Sequence, residues 1–182
     1  LLIGYPNNPT GAVMSRDDLA AIAGFAEKHD LIVISDEIYA DLTYDGEHTC
    51  FSSLPGMRER TILLNGFSKA YAMTGWRIGY ALGNPDFIAA MTKIHQFTML
   101  CAPITAQIAA VEALAKGRSS RDRMVAEYDK RRRLMVEGFR GMGLDCFEPK
   151  GAFYVFPSIQ NTGLTSLEFA EKLLQAEKVA LV

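Results

Sequence analysis

The sequence predicts an α/β fold, a mainly parallel sheet flanked by helices, followed by part of a smaller α+β domain. Three observations carry that expectation. Short β-branched runs alternate with stretches of helical periodicity; the opening order strand, helix, strand is the unit that builds a parallel pair; and the pattern changes after the break at Lys116-Gly117-Arg118-Ser119-Ser120. Residues 1–118 are therefore assigned to the C-terminal part of a larger domain, and 119–182 to an interdomain helix and a partial smaller domain.

The elements follow in order. Leu1 to Tyr5 is an apolar run closed by the turn formers Pro6-Asn7-Asn8-Pro9-Thr10-Gly11. Ser15 is an N-cap, with Asp17 and Asp18 at the positive end of the helix dipole; Leu19, Ile22, Ala23 and Ala26 give Arg16 to His29 one apolar face. Leu31 to Ser35 is a continuous apolar run, the pattern of a strand covered on both faces. Thr61 to Asn65 and Ile78 to Leu82 are further strands, and Asp86 to Met99 and Ile104 to Ala115 are helices. Beyond the break, a long helix runs from about Ser120 to Gly141, and Leu144 to Phe147, Ala152 to Phe156 and Val179 to Val182 have strand character. Thr165 and Glu168 make a capping box for a helix ending at Glu177.

Composition narrows the function classes. With 19 Lys+Arg against 21 Asp+Glu the net charge is -2, which offers nucleic acid or an anionic membrane no general attraction. The basic run Lys130-Arg131-Arg132-Arg133 sits among acids and reads as a solvated helix face. The apolar stretch from Phe97 to Ala115 is broken by Pro103, Gln107 and Glu112, so a buried helix is expected there and not a membrane span. Cys50, Cys101 and Cys146 are odd in number and scattered, which points to reduced thiols and a cytoplasmic setting. His29, His48 and His95 do not cluster with them, and no metal site is expected. The chain starts and stops on strand-like runs, as a segment of a longer protein would.

Four features fall at loop ends of the expected strands, where open α/β sheets bind ligands. Asp36 ends the second strand; a carboxylate beside a ring nitrogen would keep that nitrogen protonated. Tyr39, three residues on, offers a hydroxyl. Lys69, after the third strand, could form a Schiff base if its amine sheds its proton. Arg77 presents a planar fork suited to a phosphate, with Ser68 as a second phosphate donor. Asn8 supplies an amide in a stiff turn. Each has a plainer reading when taken alone: a turn cap for Asp36, a surface charge for Lys69, an ordinary turn for Asn8.

Together they carry a resemblance. Asn-Pro-Thr-Gly at 8–11, Asp-Glu-Ile-Tyr at 36–39, Ser-Lys at 68–69 and Thr-Gly-Trp-Arg-Ile-Gly at 74–79 resemble the fold-type I, class I/II aminotransferases, in the family's order. The intervals match as well: 28 positions from Asn8 to Asp36, 33 from Asp36 to Lys69 and 8 from Lys69 to Arg77. Pro149 to Tyr154 is similar to a small-domain strand of the same family.

The resemblance implies a PLP-transferase-like fold with pyridoxal 5'-phosphate as cofactor. It implies that Lys69 carries the cofactor as a Schiff base and shuttles a proton, that Asp36 pairs with the pyridine nitrogen, and that Tyr39 and Asn8 bind the phenolic oxygen. Arg77 and Ser68 would hold the phosphate, and the Asn8–Pro9 bond would be cis. The activity implied is transfer of an amino group from an amino acid to a 2-oxo acid, of aspartate or broad-specificity type, by a homodimer. A C–S lyase, or an aminotransferase-like effector domain of a transcription regulator, is the alternative on the same scaffold. In one respect the sequence departs from the family: Gly66 stands where a serine is frequent, three residues before the lysine.

Overall fold

The computed structural model describes residues 1–181. Strand β1 (Leu2–Gly4) leads through the turn at 6–11 to helix α1 (Arg16–Lys28) and strand β2 (Val33–Asp36). Strands β3 (Thr61–Gly66) and β4 (Gly79–Leu82) complete a sheet of order β1-β2-β3-β4. The first three strands are parallel and β4 is antiparallel to β3. Helix α1 makes the crossover that a parallel β1–β2 pair requires, whereas β3 and the antiparallel β4 are joined by a loop at 67–78 that carries a 3₁₀ turn (Thr74–Trp76). Ser15 and Asp18 form a reciprocal capping box, so the start of α1 follows the sequence expectation.

The core lies on one face of this sheet. Leu19, Ala23 and Ala26 of α1 pack on Val33 with Tyr5, Phe51, Leu54 and Met57, all buried. Each large apolar side chain buried here contributes roughly 1.5–3 kcal/mol. The opposite face is not covered, which corrects the expectation for Leu31 to Ser35: Val33 and Ser35 are buried, but Ile32 and Ile34 are 46% and 37% exposed. Leu2, in register with Ile34, shares that exposure. The continuous apolar run suits two-sided burial; within the described residues only one side receives a layer.

Three helices follow, α2 (Pro85–Thr98), α3 (Ile104–Lys116) and α4 (Arg118–Gly141). The expectation of a buried helix between Phe97 and Ala115 is also corrected. Helix α3 buries only Ala106 and Ala110, against a cluster that includes Phe67 and Met73, while Phe97, Leu100, Ile104 and Ile108 are exposed. The small residues face this chain, and the large ones face outward.

The second block has one further helix, α5 (Ser166–Glu177), with the expected Thr165–Glu168 capping box. The strand anticipated at 144–147 is reduced to an isolated bridge, Cys146 with Pro157, and the one at 152–156 is not formed, that segment lying between the bridged residues Gly151 (with Thr43) and Pro157. A ladder needs a partner of equal length, and neither segment meets one among the described residues. Residues 179–181 form no strand, and Val182 lies outside the described residues. The basic run is corrected at one position. Lys130, Arg131 and Arg133 are exposed, but Arg132 is buried on α4. Its guanidinium donates to Asp129 (2.8 Å), Asp45 (3.3 Å), Glu148 (3.4 Å) and the Pro149 carbonyl (2.8 Å), over the Tyr44 ring. Position along the helix, not local composition, decides which of four adjacent cations meets the interior.

The same region joins the two blocks. The Lys150 and Gly151 N–H groups both donate to Gly11 O, and Ala152 N–H donates to Leu42 O. A Cβ on Gly151 would sit 2.5 Å from Pro6 Cβ, and one on Gly11, at φ +69°, would sit 2.4 Å from Pro149 Cβ. Only glycine allows backbones this close.

Candidate active site

Strand alternation sets up the site. Along β2, Val33 and Ser35 point into the core, and Glu37 continues that side; Ile34 and Asp36 point to the open face. Asp36 therefore ends the strand half-buried, aligned with Gly4 of β1 and Leu64 of β3. Its Oδ1 accepts from Ile38 N–H at 3.2 Å, so the plainer reading as a turn cap is partly realised. A second carboxylate oxygen remains for another partner.

Tyr39 follows in the turn closed by Ala40 N–H to Glu37 O and Leu42 N–H to Tyr39 O. It is buried, and its hydroxyl shares a 2.6 Å hydrogen bond with the Tyr154 hydroxyl. Burial pushes the Tyr39 phenol well above the usual range; Tyr154 and Asp36 act in the same direction, and the Asn8 side chain partly offsets them. Asn8 thus lies beside Tyr39. Its neighbour Asn7 builds the turn, with Oδ1 accepting from the Thr10 hydroxyl at 2.8 Å, which leaves the exposed Asn8 amide unused by that turn. The Asn8–Pro9 bond is cis, as the resemblance implied, and so is Tyr5–Pro6, which the sequence reading did not anticipate.

Lys69 lies half-buried in the turn after β3, held by Tyr71 N–H and Met73 N–H donating to Phe67 O, with Phe67 and Met73 anchored on α3. Its Nζ is 5.6 Å from the Tyr39 ring centroid and 5.7 Å from that of Phe153. Phe153 and Tyr154 were read only as part of a strand; here they form an aromatic wall with Tyr39, with centroids 5.4 and 5.7 Å from it. The adjacent aromatic pair after Gly151-Ala152 was the available signal.

The proposed phosphate end is looser. Ser68 is half-buried. Arg77 is exposed, takes a left-handed conformation (φ 53°) after the 3₁₀ turn, and donates from Nη1 to Thr74 O at 2.6 Å. Gly66 has a physical reason to replace serine: a Cβ there would lie 2.9 Å from Gly79 Cα of β4. Tyr39 thus has the Lys69 amine on one side and Asp36 and Asn8 nearby, a donor set that fits a planar, nitrogen-containing ring with a phenolic oxygen. Surface cavities of about 360 and 470 Å³ open instead along α4, the first lined by Tyr44, Arg121 and Asp122 and the second by Arg132, Arg133 and Glu148. Neither is lined by Lys69.

The family model described as "Aminotransferase class I and II" matches residues 1–182. A Bacillus subtilis (strain 168) protein named as an aminotransferase, YugH, is 54% identical over 182 residues, 100% of this chain and 47% of that protein. The aspartate aminotransferase of Pyrococcus abyssi is 49% identical over 185 residues, 100% of this chain and 48% of its own length. The crystal structure of the aromatic aminotransferase from Pyrococcus horikoshii OT3 superposes with a TM-score of 0.96 at 47% identity, covering 100% of this chain and 49% of that one. The chain spans about half the length of the curated relatives it matches, and it belongs to the class I and II aminotransferases, a pyridoxal-phosphate-dependent family.

Proposed function

We propose that the protein containing this chain transfers an amino group from an amino acid to a 2-oxo acid, with Lys69 as the amine that tethers pyridoxal 5'-phosphate. The observation that carries the reading is the Lys69 amine 5.6 Å from the Tyr39 ring, with Asp36 and Asn8 acting on the same Tyr39, in a chain of this family. When bound, the cofactor supplies an electron-withdrawing ring that stabilises negative charge at the substrate α-carbon.

This chain's residues have distinct tasks. Asp36 holds a proton on the ring nitrogen by charge complementarity. The Tyr39 hydroxyl and Asn8 amide orient the phenolic oxygen. The Lys69 amine would act as the general base that accepts the proton of the substrate α-carbon. Arg77, with donors left after its bond to Thr74, and Ser68 grip the phosphate. An aspartate or aromatic substrate is in keeping with the names of the relatives. The division between a larger domain, 1–118, and residues 119–182 belongs to the same proposal; α3 and α4 meet there at Gly117.

A homodimer and a cytoplasmic setting complete the reading. The outward side chains Phe97 and Leu100, 86% and 80% exposed, support the first, and sedimentation of the intact protein tests it. Free thiols at Cys50, Cys101 and Cys146 support the second. No helix among the described residues is long and apolar enough to cross a membrane.

Asp36→Ala in the intact protein tests the assignment. Cofactor attachment should persist while α-proton removal, followed by deuterium exchange, slows by about 10²-fold or more. Exchange at the wild-type rate would remove Asp36 from the proposal.

A further inference from the structure

Glu37 has no task in the chemistry above, yet it is 2% exposed and carries a carboxylate. A buried charge is costly unless donors surround it. Here they do. Oε1 accepts from the Ser35 hydroxyl (2.9 Å) and the Phe51 N–H (3.0 Å), and Oε2 accepts from His48 Nε2 at 2.5 Å. The Tyr5 hydroxyl lies 3.3 Å from Oε1 but donates mainly to Thr49 O at 2.9 Å. The His48 ring stacks on Tyr5, centroids 5.0 Å apart. Burial by itself would push the Glu37 carboxyl up, but the bonds from His48, Phe51 and Ser35 outweigh it and hold the group below the ordinary glutamate value.

We propose that Glu37 is the positioning residue of the site, an ionised anchor behind the sheet that fixes Asp36 on one side and the Asn8 turn on the other, with His48 completing its shell. The inference rests on the reading of Asp36 given above. Adjacent strand residues point to opposite faces, so an anchor at 37 clamps the backbone from behind while Asp36 faces the cofactor. The backbone bonds run the same way: Glu37 N–H donates to Leu64 O of β3, and Tyr5 N–H donates to Asp36 O. Tyr5 then leads through Pro6 and Asn7 to Asn8. One carboxylate therefore stands at the junction of β2, the Asn8 turn and the 48–51 segment. A preorganised acid needs such support, because a displacement of about 1 Å can cost on the order of 10²-fold in rate.

The test uses the intact protein and four forms of it: wild type, Glu37→Gln, His48→Asn and Asp36→Asn. Glu37→Gln keeps the shape and an acceptor for Ser35 and Phe51 but removes the charge. His48→Asn, at a partly exposed position, perturbs the shell from outside. Three readouts are taken: the melting temperature, the half-saturation of the apo-protein titrated with pyridoxal phosphate, and kcat and KM separately. The expected result for Glu37→Gln is about tenfold weaker cofactor binding and a kcat reduced about tenfold, with KM for the amino donor nearly unchanged. His48→Asn should shift both in the same direction by less. Cofactor binding and kcat at wild-type values in both variants, whatever happens to melting, would overturn the positioning role. If Glu37→Gln fails to fold, His48→Asn alone decides on the same criterion. Asp36→Asn separates the two ideas. Impairment there with none in the other variants removes only the role of Glu37, whereas an unimpaired Asp36→Asn overturns both.

Discussion

Single side chains at this sheet edge owe their character to what surrounds them. Tyr5, Tyr39 and Tyr44 are phenols that burial pushes far above the ordinary value of 10.0. A group whose folded pKa is raised supports the fold below its unfolded value and loses that support as pH rises towards the folded one. The urea midpoint of the intact protein should therefore fall between pH 9 and pH 11.5 as the unfolded chain ionises its tyrosines, and Tyr44→Phe should shallow the decline. An equal slope in wild type and variant would show that Tyr44 is not among the groups responsible. At this scale the motifs singled out Lys69, Asp36, Tyr39 and Asn8 as candidates, because spacing and residue type are both written in the sequence. Glu37 stood inside the Asp-Glu-Ile-Tyr motif but was given no task there, since its contacts are made with His48 and Phe51, 11 and 14 positions away.

Elements were legible where their causes are local. The Ser15 and Thr165 caps and the parallel pairing of β1 with β2 follow from signals within a few residues or from one crossover helix. Elements that depend on distant partners were not: the segments 144–147 and 152–156 have strand composition, but the first keeps one isolated bridge and the second forms no strand pair among the described residues. Arg132 was obscured for the same reason, because Asp45 and Glu148 come to it from other parts of the chain. The junction these residues build carries its own expectation. Gly151→Ala puts a Cβ against Pro6 and the Leu42 carbonyl, and should lower the stability of the intact protein by about 1–3 kcal/mol by overpacking. Equilibrium denaturation measures this; a change within about 0.5 kcal/mol, as at ordinary surface sites, would mean the two backbones separate more easily than their contacts imply.

At the scale of the whole molecule, the open sheet face and the outward apolar residues of α2 and α3 explain why composition predicted burial that the described residues do not provide. Hydrophobic patterning reports that a side chain is to be covered, not which segment covers it. The site has the same dependence. The Lys69 amine lies over the Phe153 ring and the Tyr39 hydroxyl bonds that of Tyr154, so the proposed site draws on both blocks. The central claim is that the Lys69 amine is the covalent seat of the cofactor. Borohydride reduction of the intact protein with pyridoxal phosphate, followed by peptide mapping, tests this most directly. The account predicts one phosphopyridoxyl group per chain, on Lys69, and a label on any other lysine, or none, would contradict it.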